Sequence, residues 1–419
     1  MLQRRTPDTG TVVEREETAK AAGATHFPVR LIATLSLLAG VAPLSIDMYL
    51  PAFPEMAVEF GTGASAIQLT LTAFLIGLAS GQLVIGPLSD RYGRRPLLLI
   101  GTLTCALFSA LCALAPTIEL LASARFFQGF AGAAGIVLGR AVISDRAEGP
   151  AAAKLFSLLI VINAVAPIVA PLLGGAIVTG VGWRGVFWAL AALAIVMFLC
   201  VVLGVPESHP RERRTGGGIA STLRNAGVVL RNRRYLGFTL SYVFAFGVMF
   251  AYISASPFVL QNVHGLSAGW YSVVFTTNAL GLVVASVVNS KLIGRVGGRA
   301  ILRAGLLALA TLSVAMLVNS LVGPVFVITL ILLWCTVASL GLVVANATTL
   351  ALGEARQAAG TASAVLGALQ FLLAAAISPL VGIGGDHTAL PMAIVMVVSA
   401  GFGLVAFVVA TGRRGARSE

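Results

Sequence analysis

Charge is scarce in this chain. Asp, Glu, Lys and Arg make up 11% of its 419 residues, against 58% hydrophobic ones, where a soluble domain carries roughly 25% charge. That balance excludes an ordinary soluble enzyme or nucleic-acid-binding domain and leaves a chain embedded in a membrane. Cysteine is scarce as well. Cys105, Cys112, Cys200 and Cys335 all fall in apolar runs, and Cys105 and Cys112 stand two helical turns apart, about 10 Å, too far to bridge within one helix. They read as small core residues. The four histidines, His26, His209, His264 and His387, lie in loops or tails, so no metal site and no other cofactor is expected. A phosphate-binding glycine–lysine loop is missing too, which argues against ATP as the energy source.

What the chain has instead is length in apolar runs. At about 20 apolar residues per crossing, twelve spans are expected, near 31–50, 66–88, 96–115, 118–143, 153–179, 184–204, 235–260, 269–293, 301–319, 324–350, 358–383 and 391–411. The expected fold is all-α, in two six-helix bundles at 30–205 and 234–412. A linker covers 206–233, and tails cover 1–29 and 413–419. The first tail mixes Glu14, Arg15, Glu16, Glu17 and Lys20 with small polar residues. It lacks the short apolar core of a cleaved signal and reads as disordered, leaving the first span as the insertion signal.

The net charge of +12 does not point to nucleic acid, because of where it falls. Arg91, Arg94, Arg95, Arg146, Lys154, the arginines of 211–234, Lys291, Arg295, Arg299, Arg303, Arg356 and the last tail share one side of the expected topology. Glu55, Glu59, Glu119 and Asp386 share the other, with Arg184 as its one basic residue. This asymmetry puts both termini in the cytoplasm.

The densest charge lies in Gly86-Pro-Leu-Ser-Asp-Arg-Tyr-Gly-Arg-Arg95, expected to form a short water-facing loop, since such a cluster cannot lie in lipid. Ser290–Arg299 is a worn copy. It keeps Leu88 as Leu292, Arg91 as Arg295, Gly93 as Gly297 and Arg95 as Arg299, but Asp90 has become Gly294. Pro171-Leu-Leu-Gly174 recurs as Pro379-Leu-Val-Gly382. Together with six spans on each side of the linker, these repeats indicate two related bundles facing each other with a site between them.

At these residues the chain resembles the major facilitator superfamily and, within it, the Bcr/CflA group of drug-resistance exporters. Gly86–Arg95 fits the superfamily's G-x-x-x-D-R-x-G-R-R pattern, and Arg125-Phe-Phe-Gln-Gly129 fits its R-x-x-Q-G element. Ala170-Pro-Leu-Leu-Gly-Gly175 is close to the proline–glycine motif of antiporters, with Ala170 in place of the usual glycine. Asp47-Met-Tyr-Leu-Pro51, Ile253–Gln261, Asn278-Ala-Leu-Gly281 and Gly360–Ala364 with Gln370 carry the likeness to the subgroup. The resemblance covers about residues 30–411. It implies a drug:proton antiporter of the cell's inner membrane, acting as a monomer in the lipid bilayer.

Two ionisable residues fall inside the spans, Asp47 and Arg125. Each costs about 2.5–3.5 kcal/mol at membrane depth and so faces water or a partner. Asp47 shares a helical stripe with Ser36, Gly40 and Pro43. A partly dry cavity penalises a carboxylate's charge, so Asp47 is expected to take up and release protons; alternatively the first span ends at Pro51 and Asp47 sits at the outer interface. Arg125 heads a stripe with Gln128, Gly132, Gly135 and Gly139, whose glycines allow close helix approach. The resemblance gives this arginine a part in coupling protonation to movement; the alternative is a fixed ion pair or a cap on backbone carbonyls.

Gly86, Asp90, Arg91, Gly93, Arg94 and Arg95 read as a gating latch. The resemblance pairs Arg94 with Asp145, and the alternative is that the arginines simply hold the loop inside. Pro167, Pro171, Gly174 and Gly175 are expected to bend and tighten the fifth span, either as an export gate or as ordinary kinking. Tyr49, Gln128, Tyr252, Asn278 and Gln370 are the candidates for the substrate cavity. Tyr242 and Asn346 are further polar candidates, and Phe246, Met249 and Phe250 a possible apolar wall.

A cavity with few fixed charges suits uncharged amphipathic drugs. The resemblance associates such cavities with chloramphenicol-like and bicyclomycin-like compounds. A carrier for a sugar, amino acid or siderophore is the rival on the same fold. A membrane enzyme would need convergent nucleophile, base or metal ligands inside the spans, where only Asp47 and Arg125 are found.

Overall fold

A computed structural model of the chain describes residues 28–147, 149–210, 212, 214 and 226–412. The N-terminal tail, the middle of the arginine-rich linker and residues 413–419 lie outside these described residues. The described residues are almost wholly helical. α1, Val29–Asp47, breaks into a 3₁₀ turn at Leu50–Ala52 and resumes as a short helix, Phe53–Glu59. Then follow α2 (Ala64–Tyr92), α3 (Arg94–Ala113), α4 (Ile118–Arg146), α5 (Gly149–Val181) and α6 (Trp183–Gly204). After the linker come α7 (Arg233–Phe258), α8 (Ala268–Val296), α9 (Gly298–Val322), α10 (Phe326–Gly353), α11 (Ala359–Leu380) and α12 (Leu390–Thr411).

Twelve helices among the described residues are long and apolar enough to cross a membrane, the number expected from the apolar runs. Helices satisfy their own backbone polar groups, as hydrocarbon requires. Leu103, Leu107, Val288, Val405 and Val409 stay exposed on the outside of the bundle, where lipid tails would cover them. α7 is the most enclosed span.

The two halves repeat one packing scheme. In the first, α4 packs on α2 and α3, and α6 on α3; in the second, α10 packs on α8 and α9, and α12 on α7 and α9. Small residues set the closest contacts, as in membrane bundles generally. A Cβ placed on Gly129 of α4 would stand 2.1 Å from the Phe74 carbonyl oxygen of α2, so the two backbones touch there. The halves meet through α2 against α11 and α5 against α8.

The expected loop at Gly86–Arg95 is shorter than its sequence suggests. α2 stays helical through Tyr92 and α3 begins at Arg94, so Gly93 alone makes the turn, with φ +99°. Gly297, φ +81°, does the same between α8 and α9. A single glycine at positive φ reverses the chain where any other residue would be strained, and that lets the flanking residues remain in helix.

Candidate functional site

At the Gly93 end, a polar cluster joins α2, α3, α4 and the residues after α6. The Arg94 guanidinium donates to Asp90 Oδ1 at 2.6 Å, to Asp145 Oδ2 at 3.1 Å and to the Ser89 hydroxyl. Two further residues complete the cluster, and neither is evident from the sequence. Glu207 accepts the backbone N–H groups of Arg94 at 2.9 Å and Arg95 at 3.3 Å, the open N-terminus of α3, where a carboxylate is favoured by the helix dipole. Ser208 donates to Asp145 at 3.0 Å. Arg95 reaches the Val202 carbonyl of α6 at 2.9 Å, whereas Arg91 is exposed beside Tyr92 and Gly86 lies within α2. These contacts all lie in the first half and the segment that leaves it.

Arg125 is fully buried in α4. Its guanidinium donates to Gln128 Oε1 at 2.7 Å and to the Ser45 carbonyl of α1 at 3.0 Å. It lies 4.2 Å from the ring centres of both Tyr49 and Phe74. Gln128 passes the network to Ser109 of α3 at 2.7 Å. Cation–π contact and carbonyls hold the charge here, with no carboxylate among the described residues, and the guanidinium's Nε is left without a partner. Tyr49 is fully enclosed between Phe53 and Phe187, so in this conformation both Tyr49 and Gln128 belong to the first-half interior and present no face to a cavity.

Asp47 ends α1 at its break, twelve residues before Glu59. It is 4% exposed, and its carboxylate makes no hydrogen bond or ion pair with another described residue. The break carries it to the boundary between the halves, where the hydroxyls of Tyr252 and Tyr271 in the second half lie within electrostatic reach. Asn278 donates to the Tyr252 hydroxyl at 2.9 Å, and Tyr252 stacks on Phe275. Tyr252 and Asn278 are thus joined to each other in the second-half interior, each 2% exposed.

α5 runs unbroken through Pro167 and Pro171. Its glycine pair serves two partners. A Cβ on Gly174 would stand 1.9 Å from the Met48 carbonyl oxygen at the α1 break, and one on Gly175 would stand 2.3 Å from Ser272 Oγ of α8. α5 therefore touches both the helix that carries Asp47 and the opposite half.

The hydrogen bonds that tie the halves together gather toward the Glu59 end. Gln68 donates to the Ser254 carbonyl at 3.0 Å, Ser378 to the Gln68 carbonyl at 3.1 Å, and Ser65 to the Pro379 carbonyl at 3.2 Å. Thr72 reaches Ala375, Thr276 reaches Ile168, and Gln261 reaches the Pro51 carbonyl. Toward the Gly93 end, Arg140 of α4 is exposed. Tyr242 donates to Gln370 of α11 and stacks on Phe246. Gln370 is half-buried. Asn346 instead bonds Asn289 at 2.7 Å, a joint between α10 and α8.

Comparison with known proteins fits this architecture. The family model for the Major Facilitator Superfamily matches residues 35–379. The chain is 40% identical over 376 residues to the uncharacterized MFS-type transporter YdgK of Bacillus subtilis, covering 89% of this chain and 93% of that one. It is 30% identical over 392 residues to the bicyclomycin resistance protein homolog of Haemophilus influenzae, covering 91% and 96%. It is 34% identical over 280 residues to the chloramphenicol resistance protein of Pseudomonas aeruginosa, 66% of each chain. Among solved structures, a bacterial homolog of the human lysosomal transporter Spinster superposes with a TM-score of 0.72 over 94% of this chain and 100% of its own, at 15% identity. That likeness speaks to the fold alone.

Proposed function

The chain belongs to the major facilitator superfamily, a multi-pass membrane transporter, and on that premise we propose that it exports drug-like small molecules across the inner membrane in exchange for protons. The names of its bicyclomycin- and chloramphenicol-resistance relatives favour amphipathic drugs over a sugar, amino acid or siderophore. Both termini lie in the cytoplasm in this reading. The Gly93 end is then the cytoplasmic one, and the conformation is open inward and closed outward. The units are an N-terminal bundle at 30–205 and a C-terminal bundle at 234–412, working as a monomer.

The observation that carries the reading is Asp47: buried, without an ionic partner, at the end of the helix whose break packs on the second-half helices that carry Tyr252 and Tyr271. A protonated, neutral carboxyl tolerates that packing. A charged one is costly to bury unpaired, so loss of its proton to the cytoplasm weakens the outer closure and primes the outward-open state. Drug bound from the cytoplasm is released outside, a proton returns to Asp47, and the outer end closes again. Arg125 follows the same cycle through its bond to Ser45, two residues before Asp47, and its free Nε is available to the carboxylate once the break rearranges. One proton moving inward supplies about 2.3 kcal/mol per 100 mV, enough to bias the cycle without ATP.

The Asp90–Arg94–Asp145 cluster, expected as a latch across the inner gate, braces the first half alone in this inward-open conformation. Its bonds keep the ends of α2, α3 and α4 together as one body, so that the first half moves as a unit when the cytoplasmic side closes. Expression in a pump-deficient bacterium tests the whole reading. The wild type should protect against chloramphenicol-like or bicyclomycin-like compounds and Asp47→Asn should not, at equal protein level; protection by neither would refute drug export.

A further inference from the structure

The worn repeat at Ser290–Arg299 has no part in that cycle, and its charges are unanswered. Around Gly93, the arginines Arg91, Arg94 and Arg95 stand among the carboxylates Asp90, Asp145 and Glu207, which hold the turn from three sides. Around Gly297, the counterparts of Asp90 and Arg94 are Gly294 and Gly298, while Lys291, Arg295, Arg299 and Arg303 remain. None of these four side chains makes a hydrogen bond or ion pair with another described residue. Residues 226–412 hold two acids. Glu354 pairs with none of the four, and Asp386 bonds Asn262 at the opposite end of the second half.

The one-residue turn keeps these cations together. Arg295 lies two residues before Gly297 and Arg299 two after it. Lys291 and Arg303 follow at a spacing of four, on the same helix faces and about 6 Å further along each axis. Residues 290–297 are all exposed, about two turns of helix open on every side. In the first copy, by contrast, Ser89 and Gly93 are buried. A Cβ on Gly294 or Gly297 would meet nothing within 4 Å, whereas one on Gly93 would meet Glu207 and Arg214. Interleaved with the cations, Val288, Leu292, Ile293 and Val296 are exposed too.

A surface that joins unpaired cations to bare apolar side chains at the end of a membrane span fits an amphipathic anion. We infer that the α8–α9 turn binds an anionic phospholipid of the cytoplasmic leaflet. Lys291, Arg295, Arg299 and Arg303 take its phosphate, and Val288, Leu292, Ile293 and Val296 its acyl chains. The lipid thus supplies the negative charge that Asp90, Asp145 and Glu207 supply in the first half. A free inorganic anion would leave the apolar residues bare, and a second copy of a chain with net charge +12 would be repelled. The site needs this end of the bundle to face the cytoplasm, but it does not depend on drug export.

A matched pair of positions tests it in the full chain. Leu88 and Leu292 are equivalent in the two copies, and both are 38% exposed. A fluorophore on Leu88→Cys or Leu292→Cys, with Cys105, Cys112, Cys200 and Cys335 replaced, is quenched in nanodiscs by phospholipids carrying a nitroxide on the upper acyl chain. At Leu292, labelled phosphatidylglycerol should be favoured over labelled phosphatidylcholine by about fivefold or more, the pull of one surface cation. At Leu88, where acids balance the arginines, the two should agree within about twofold. Arg295→Gln together with Arg299→Gln should remove the preference at Leu292. Gly294→Asp, which restores the acid of the first copy three residues from Lys291, should lower it. Size-exclusion profiles check folding, and if the arginine variant misfolds, Gly294→Asp decides. Equal preference at the two positions, or a preference at Leu292 that both variants leave unchanged, would overturn the site.

Discussion

Asp47 and Arg125 differ in how they are kept inside the membrane, and that difference sets what each variant should do. Arg125 is held by two hydrogen bonds and two aromatic faces, whereas Asp47 has burial and no partner. Arg125→Lys keeps the charge but cannot fork between Gln128 and Ser45 while lying flat on two rings. It should lower the transport rate by about tenfold or more, as loss of one such charged hydrogen bond implies, and radiolabelled-drug flux in vesicles measures it. Both residues were legible in the sequence, because an ionisable group in an apolar run stands out. Their partners were not. Nothing in the spacing says that Tyr49 and Phe74 cage Arg125, or that Tyr49 belongs to the core and not the cavity.

Among the elements, the one-residue turns at Gly93 and Gly297 allow a matched comparison. Both have positive φ, so alanine at either should cost about 1–3 kcal/mol in backbone strain. At Gly93 the added Cβ would also stand 2.6 Å from Glu207 Oε2, while at Gly297 it meets nothing within 4 Å. Gly93→Ala should therefore lower the thermal midpoint of the purified chain further than Gly297→Ala; equal shifts would mean that Glu207 gives way freely. The span count followed from hydropathy alone, since each crossing needs its own apolar run. The length of the turns did not, because charge density marks water exposure, and the helices on either side of Gly93 hold Asp90, Arg91, Arg94 and Arg95 themselves. Glu207 and Ser208 close the cluster from far along the chain, a contact no local pattern encodes.

For the whole molecule, the closed outer end is the feature most open to perturbation. A Cβ on Gly382 would stand 2.2 Å from Gln68 Oε1 and 2.7 Å from the Ser65 backbone nitrogen. Gly382→Val should therefore disfavour the outer seam and shift the population toward the outward-open state. Labelling of a cysteine introduced at Ser65, in a background with Cys105, Cys112, Cys200 and Cys335 replaced, should rise several-fold with the valine present; unchanged labelling would mean the seam does not gate access. The repeated halves were legible from the paired motifs, but not the seam between them, which is built from serines, threonines, a glutamine and backbone carbonyls that carry no sequence signature.

The central claim is that proton and drug are exchanged through Asp47, and simultaneous recording of both tests it most directly. In proteoliposomes with an internal pH dye, a chloramphenicol gradient should drive wild-type protein to move protons in the opposite direction. Asp47→Asn should bind the drug and move no protons. Drug-driven proton movement that survives in Asp47→Asn, in protein that is folded and oriented as the wild type, would contradict the account.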